Sequence, residues 1–218
     1  MRRALQASSF ITALSPGYDS EVIEDTPGPD AARRALLDAA STLLAEEGAE
    51  ALTVRRIAAR AGCSTMLVYS RLGGKQGVME ALYIEGFERL ADALRSGRRT
   101  ADPVSDLRVC AQRYRKFALA NPTYYAVMFE RAVPDFEPSF EAKMVASRTL
   151  DVLADRVQRA IDAGVFPAHD ARGVAACLWS NNHGVLSLEL KRVGPPDIDW
   201  AKCFDQVVDV MLAGLAAN

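Results

Sequence analysis

The chain has 218 residues, half of them apolar, and a formal net charge of −2, so it is long enough to form one or two hydrophobic cores. This near-neutral balance excludes a protein that coats nucleic acid through bulk positive charge. The four cysteines are far apart and include no CxxC pair, which argues against a zinc site and a disulfide framework. We interpret them as buried thiols, and cysteine redox sensing stays open as an alternative.

Residues 1–29 are predicted to form a disordered tail. The apolar run in this tail is broken by polar residues and is too short to cross a bilayer or to act as a signal peptide, so we expect a cytoplasmic protein. The segment from Thr26 to Pro29 extends the chain away from any helix. Arg2 and Arg3 leave open a further role for the tail, as an arm that reaches a DNA minor groove.

A first helix is predicted over residues 30–47. Its apolar residues recur with helical spacing, Asp30 is suited to cap it and Gly48 is suited to end it. Residues 30–75 contain seven basic and five acidic side chains, so this segment has a charge of +2 and the remainder has −4. A modestly basic head on an acidic body suits a protein that binds specific DNA with one end.

Two short helices are predicted between Thr53 and Lys75, with Gly62 at the break between them. The apolar positions keep spacings of three and four, and glycine can adopt the left-handed conformation that ends a helix. This pattern is typical of a helix-turn-helix, in which the second helix contacts base edges and flanking residues hold the DNA backbone. The candidate DNA-contacting residues are Thr53, Arg55, Ser64, Thr65, Met66, Leu67, Tyr69, Ser70, Arg71 and Lys75. Short helix pairs around a glycine are also common in all-helical proteins, so the pattern alone leaves a purely structural role open.

The rest of the chain is predicted to be helical for most of its length. Helical spacing of apolar residues covers residues 76–95, 103–119, 122–130, 139–163, 170–192 and 198–217, and no alternating strand pattern or internal repeat is present. We therefore predict an all-α protein. The predicted organisation is a tail over residues 1–29, a three-helix helix-turn-helix domain over 30–75 and a helical domain over 76–218.

The C-terminal half is rich in aromatic and methionine residues, which permit a mostly apolar pocket with a few polar groups. Asn181 and Asn182 lie beside His183 in an otherwise apolar helix, and buried amides require partners. The candidate pocket residues are Phe117, Tyr125, Met128, Phe129, Trp179, Asn182 and His183, with Tyr124, Phe136, Phe140 and Met144 as further members. Aromatic residues at helical spacing also form plain core, so a structural role stays open for each of them.

Residues 30–83 resemble, along their whole length, the DNA-binding domain of the TetR family of bacterial transcriptional regulators. The matching segments are RALLDAA from Arg34, LLAEEG from Leu43, LTVRRIA from Leu52, AGCS from Ala61, and VY from Val68, followed by Leu72 and Lys75. Leu44 and Leu72 replace a phenylalanine that is frequent in the family. The pair Gly73-Gly74 replaces a more usual Pro-Ser or Lys-Ser, and we expect it to loosen the joint before Lys75.

Scattered residues between Asn121 and Leu190, including Trp179 and the pair His183-Gly184, are similar to the C-terminal domain of one TetR subgroup, the Trp/His-Gly type. In the family, this domain holds a small-molecule pocket and the dimer interface. The resemblance implies a homodimer that binds palindromic double-stranded operator DNA, commonly as a repressor, and is released by a small, largely apolar effector.

Dimerisation is expected through the last two helices, which could form an intermolecular four-helix bundle. The final helix carries the apolar residues Phe204, Val207, Val208, Met211, Leu212 and Leu215 beside the small residues Ala213, Gly214 and Ala216. The same residues could instead close the core of a single subunit, and the sequence does not apportion them.

Two other classes of function are weighed against this one. No GxSxG, GxxxxGK[ST] or HExxH motif is present, and the two histidines are far apart in sequence, so we predict no enzyme, no catalytic residue, no cofactor and no metal site. The second alternative is a ligand-binding or scaffolding protein of the same fold that no longer binds DNA. Thr53, Tyr69 and Lys75 argue against it, and the Gly73-Gly74 joint argues weakly for it.

Overall fold

The computed structural model describes residues 29–217, and within this range the chain consists of α-helices, connecting loops and one short 3-10 turn. The helices are α1 (Pro29–Glu47), α2 (Val54–Arg60), α3 (Thr65–Leu72), α4 (Lys75–Arg95), α5 (Pro103–Ala120), α6 (Pro122–Phe129), α7 (Phe140–Asp162), α8 (Ala171–Leu190) and α9 (Trp200–Ala216). The all-α prediction is confirmed, with helix bounds within a few residues of those expected. The predicted tail up to residue 28, with Arg2 and Arg3, lies outside the described residues.

Most helices begin at a short polar residue whose side chain accepts a backbone N–H of the first turn. These capping residues are Thr53, Ser64, Asp102, Ser139, Asp170 and Asp199. Asp30 does not precede α1 as predicted but lies inside its first turn, because the helix already begins at Pro29, a residue type that suits this position. Gly62 follows α2 with a φ of 66°, the left-handed conformation expected at the break.

Helix α4 lies at the centre of the fold. It packs against α1 and α3 on the side of the helix-turn-helix and against α5, α6 and α7 on the other side. Helices α8 and α9 complete the C-terminal half by packing against α7, α5 and each other. One apolar core runs through both halves, so α4 connects them directly. No helix within the described range is long and apolar enough to cross a bilayer.

The apolar stripe of α9 closes the core of its own subunit. Phe204, Val208 and Leu212 are buried, and α9 packs against α8 and α5. The opposite face of the helix leaves Val210 70% exposed, with Ala213 also exposed. Of the two roles that the sequence left open for this stripe, the structure therefore supports closure of the subunit core.

The four cysteines are free and lie in different environments. Cys110 is buried, Cys63 and Cys203 are half-buried, and Cys177 is exposed on α8. The interpretation of all four as buried thiols is therefore wrong for Cys177, because its side chain faces away from the core.

Candidate functional site

Helix α3 presents one face to solvent. Met66 and Tyr69 are 72% and 57% exposed, Thr65 and Ser70 are also exposed, and Val68 is fully buried. Because residues three and four apart share one face of a helix, the exposed side chains form a continuous surface. A hydroxyl, a thioether and a phenol on such a surface offer hydrogen bonds and apolar contacts to base edges in a major groove.

Two hydroxyl groups fix the starts of the paired helices. Thr53 Oγ1 accepts the backbone N–H of Arg56 at 3.3 Å, and Ser64 Oγ accepts that of Leu67 at 3.3 Å. Both capping residues are exposed, whereas Leu67 is half-buried. Thr53 and Ser64 therefore position α2 and α3 in addition to facing solvent, and Leu67 lies at the edge of the exposed surface.

The basic residues around α2 and α3 divide into two groups. Arg56 forms an ion pair with Glu47 at 2.5 Å, and Arg60 forms one with Glu46 at 2.8 Å, so both are directed back to α1. Within residues 29–217, Arg55, Arg71 and Lys75 form no ion pair. The exposed Arg55 and Arg71 and the half-buried Lys75, the first residue of α4, are the cations that remain available for phosphate.

The joint between α3 and α4 is made by Gly73 and Gly74, both with positive φ, at 70° and 94°. A Cβ atom at position 74 would lie 3.0 Å from Cε1 of Tyr69, so the ring occupies the space that any other residue would need. Gly74 is buried. Both glycines adopt a left-handed backbone conformation in this close turn, and at Gly74 the Tyr69 ring also leaves no space for a side chain. The looseness expected of this joint stays a prediction.

A cavity of about 440 Å³ lies in the C-terminal half, within the range of small-molecule sites. Its wall comes from α4 to α9 and is mostly apolar. The lining residues are Tyr83, Phe87, Leu90, Leu94, Leu107, Cys110, Ala111, Tyr114, Met128, Phe129, Lys143, Ala146, Ser147, Thr149, Leu150, Leu153, Arg172, Leu178, Trp179, Asn182, Val208 and Leu212.

Four of the seven pocket residues proposed from sequence line this cavity, and three do not. Those that line it are Met128, Phe129, Trp179 and Asn182; those outside the lining are Phe117, Tyr125 and His183. Of the further candidates, Tyr124 and Phe136 are buried outside the lining, Phe140 is 73% exposed and Met144 is exposed at the start of α7. The lining residues of α4, α5, α7 and α9 were not predicted, although the apolar stripe on α4 indicated that this helix is buried along its length.

The cavity wall carries a few polar groups. Lys143 and Arg172 are exposed and mark the side open to solvent. Asn182 is 8% exposed, and its amide forms no hydrogen bond within residues 29–217. The rest of the wall is uncharged: burial raises the pKa of the Cys110 thiol to about 11 and that of the Tyr114 phenol to about 12, so both groups are neutral at pH 7.

Behind the wall, a hydrogen-bonded cluster joins α5, α6 and α8. Tyr125 Oη lies within hydrogen-bond distance of His183 Nδ1, at 2.7 Å, and Tyr114 Oη lies 3.3 Å from the same nitrogen. Burial lowers the pKa of His183, opposed by the charge of Glu130 and reinforced by that of Lys191. Burial therefore favours the neutral form of the ring at pH 7.

Helix α4 is tied to the C-terminal half along its whole length. Gln76 Nε2 donates to the carbonyl of Asp135 at 3.2 Å, close to the joint with α3. In the middle of the helix, a Cβ atom at Gly86 would lie 2.7 Å from Sδ of Met128, so α6 approaches α4 closely. Further along, Thr149 Oγ1 donates to the carbonyl of Phe87 at 3.2 Å. Helix α4 therefore connects the cavity wall directly to the joint with α3.

Two protein-family profiles match the chain. The profile described as "Bacterial regulatory proteins, tetR family" matches residues 36–82, and the one described as "Tetracyclin repressor-like, C-terminal domain" matches residues 107–211. The chain belongs to the TetR family. The two matches cover the helix-turn-helix with most of α4 and the half that contains the cavity, so this TetR-family protein is a DNA-binding transcriptional regulator.

Curated relatives agree with this assignment. The HTH-type transcriptional regulator Rv1816 of Mycobacterium tuberculosis is 26% identical over 207 residues, which cover 80% of this chain and 88% of that protein. The HTH-type transcriptional activator FasR of Mycolicibacterium smegmatis is 27% identical over 187 residues, covering 78% of this chain and 82% of that protein.

Solved structures share the fold. The regulatory protein SCO4313 is 28% identical with a TM-score of 0.73, and the alignment covers 85% of this chain and 97% of that one. SmeT in complex with triclosan is 25% identical with a TM-score of 0.64, covering 84% of this chain and 91% of that one. The combination of an N-terminal helix-turn-helix with a C-terminal helical domain is thus confirmed.

Proposed function

We propose that this regulator is a homodimeric repressor that binds a palindromic operator and is released from it by a small, largely apolar effector. The observation that carries the proposal is the double role of α4. The helix supplies Tyr83, Phe87, Leu90 and Leu94 to the cavity wall, and only Gly73 and Gly74 separate its start from α3. A ligand that fits one position of α4 better than another would therefore change the position of α3.

The DNA-contacting residues proposed from sequence all belong to the unit formed by α2, α3 and the start of α4. We propose that Thr65, Met66 and Ser70 contact base edges, because they lie on the exposed face of α3. Tyr69, Arg55, Arg71 and Lys75 are proposed to hold phosphates, with Thr53, Ser64 and Leu67 at the margin of the surface. Residues 30–75 would then form the DNA-binding domain and residues 76–218 the effector and dimer domain.

The cavity supports the effector part of the proposal. Its volume and apolar wall suit a small organic molecule, and SmeT, a structural neighbour, is known in complex with triclosan. Met128, Phe129, Trp179 and Asn182 are proposed as effector contacts, because they lie on the wall. Phe117, Tyr125 and His183 are proposed to act indirectly, by supporting the side chains that line it.

The dimer part rests on the exposed faces of the last two helices. Helix α8 exposes Cys177, Gly184 and Leu188, and α9 exposes Val210 and Ala213. Small residues allow helices to approach closely, and Leu188 and Val210 would gain burial in a four-helix interface. A dimer would place two copies of α3 on one face of DNA, separated by a helical turn of about 34–36 Å.

A second candidate function is activation of transcription, because the relative FasR is named as an activator. The same operator contacts serve either function, since the outcome depends on where the operator lies relative to the promoter. A cytoplasmic location and the absence of enzymatic activity are part of the proposal, and the regulator assignment supports both.

The experiment that tests the proposal is a gel-shift assay with the promoter DNA flanking the protein's own gene, at fixed and stated salt. A retarded band that resists nonspecific competitor is expected. It should be weaker for Arg71→Ala and unchanged for the control Arg98→Ala, in the loop after α4. Release is tested without a ligand by filling the cavity with Leu150→Trp, which should lower operator affinity while the helical circular dichroism stays unchanged.

The same promoter fused to a reporter gene distinguishes the two regulatory directions. Lower transcription in the presence of the protein supports repression, and higher transcription supports activation. Absence of any specific band with a folded dimer would contradict self-regulation, and equal affinity of the Leu150→Trp variant would contradict coupling through α4.

A further inference from the structure

The charge around the cavity is one-sided. Lys143 and Arg172 are its only ionised lining residues among those the structure describes, and no aspartate or glutamate is part of the wall. Their carboxylate partners, Glu137 and Asp151, lie outside the lining. A ligand in the cavity would therefore contact two cations, each paired with one carboxylate outside the lining, and no acidic side chain of the wall itself.

Both cations have N–H groups that form no hydrogen bond in the described part of the chain. Arg172 binds Asp151 through Nη1 and donates to Ser147 Oγ through Nη2 at 2.7 Å, which uses two of its five N–H groups. Lys143 uses one of three, in its 2.5 Å contact with Glu137. These ion pairs are exposed and so contribute little to stability, which means that an anionic ligand can share or displace them readily.

A polar side chain further along α8 also lines the cavity. Asn182 is 8% exposed, and its amide forms no hydrogen bond within residues 29–217. The donor and the acceptor of this amide are therefore available to a ligand group inside the cavity. Ten residues separate Arg172 from Asn182 on α8, a distance of about 15 Å along the helix.

We propose that the cavity binds an elongated organic acid, with its carboxylate between Lys143 and Arg172 and a hydrogen-bonding group at its far end on Asn182. The apolar body of the ligand lies between these points, against Leu150, Leu153 and the aromatic residues of α4. This assignment rests on the proposed effector function of the cavity and specifies the chemical class of the effector.

The head-group test compares dodecanoate, dodecanol and dodecylamine, which share one chain and differ in charge. Binding is followed by the fluorescence of Trp179 in a Trp200→Phe background, so that one tryptophan reports from the cavity wall. Dodecanoate is expected to bind about tenfold more tightly than dodecanol, because hydrogen bonds to charged groups are the stronger ones. Dodecylamine is expected to bind more weakly than either.

Substitutions test whether Lys143 and Arg172 cause the preference for the acid over the alcohol. In Lys143→Gln/Arg172→Gln the acid and the alcohol should bind equally, with the alcohol affinity unchanged. The control Asp151→Asn leaves Arg172 in place and should keep the preference for the acid. Equal or tighter binding of dodecanol by the unmodified protein, or no response of Trp179 to any of the three probes, would overturn the assignment.

The far end is tested with the ω-hydroxy acid of the same chain length. The unmodified protein should bind it at least as tightly as dodecanoate, whereas Asn182→Leu should prefer dodecanoate by about tenfold. An unchanged ratio in Asn182→Leu would overturn the role of the amide. Operator release is measured separately by gel shift: release by a neutral compound would overturn the acid class and leave the proposed repressor function standing.

Discussion

Gly74 and Tyr69 contact each other across the joint between α3 and α4, because a Cβ atom at position 74 would lie 3.0 Å from Tyr69 Cε1. The contact links the orientation of a residue on the exposed face of α3 to the first turn of α4. The Tyr69 ring also covers Gly74, which has a φ of 94° and is buried.

Replacing Gly74 with alanine should therefore damage operator binding more than the fold. A side chain at positive φ costs about 1–3 kcal/mol of unfolding free energy, and the new methyl group displaces the Tyr69 ring. Operator affinity measured by gel shift at fixed salt should fall about tenfold. The matched control is Gly73→Asn, since asparagine tolerates the left-handed conformation and nothing lies within 4 Å of a Cβ at position 73. Equal losses in both variants would argue against a specific Gly74–Tyr69 contact.

Replacing Tyr69 with phenylalanine tests the phenol by itself. If its hydroxyl donates to a phosphate, the loss should weaken operator binding about tenfold, the value of one hydrogen bond to a charged group. Because the phenol is uncharged, the slope of affinity against salt concentration should stay unchanged. Lys75→Gln should in contrast reduce that slope by about one. Unchanged affinity of Tyr69→Phe at matched salt would remove the proposed role of the hydroxyl.

The helix-turn-helix could be predicted from sequence because its signals are local. Thr53 caps α2, and Gly62 ends it in the left-handed conformation, both visible as residue types at fixed spacing. The pair Gly73-Gly74 predicts flexibility by composition, but it gives no sign of the Tyr69 ring that fills the space beside Gly74.

The cavity was predicted only in part for a different reason. Helical spacing identifies buried residues, but it does not distinguish those that face a void from those that face other side chains. Phe87 and Leu150 line the cavity, whereas Tyr125 is fully buried behind its wall, and all three have similar sequence patterns. Phe140 shows the reverse error: it is apolar at the start of a helix and nevertheless exposed.

A substitution at Gly86 tests the contact between α4 and α6. In Gly86→Ala the new methyl group would lie 2.7 Å from Met128 Sδ and 2.9 Å from its Cγ, so the flexible Met128 side chain must move, and it lines the cavity. We expect a loss of about 1–3 kcal/mol in unfolding free energy and weaker binding of dodecanoate. Gly86→Ala/Met128→Ala should bind dodecanoate as well as Met128→Ala alone, because the clash is absent once the Met128 side chain is removed. A further loss in the double variant relative to Met128→Ala would place the defect elsewhere in α4.

The exposed face of α8 allows a direct test of dimerisation. Nothing lies within 4 Å of a Cβ atom at Gly184, so Gly184→Trp is compatible with the isolated subunit and would clash only with a partner. Light scattering after size-exclusion chromatography should show a dimer for the unmodified protein and a monomer for this variant, with loss of operator binding. As a control, Gly97→Ser replaces a glycine in the loop after α4, far from this face, and should remain a dimer. A Gly184→Trp variant that remains a dimer would exclude this face of α8 as the interface.

The histidine cluster predicts how stability depends on pH. Burial lowers the pKa of His183 in the folded protein, so below about pH 6.5 the unfolded chain takes up a proton that the folded protein does not. Stability should therefore fall as the pH decreases through this window and level off below the folded pKa. Urea unfolding at pH 7.5 and 5.5 measures the effect: His183→Gln should flatten the difference, and His169→Gln, at an exposed histidine, should retain it. A difference that is the same in His183→Gln would assign the pH dependence to other groups.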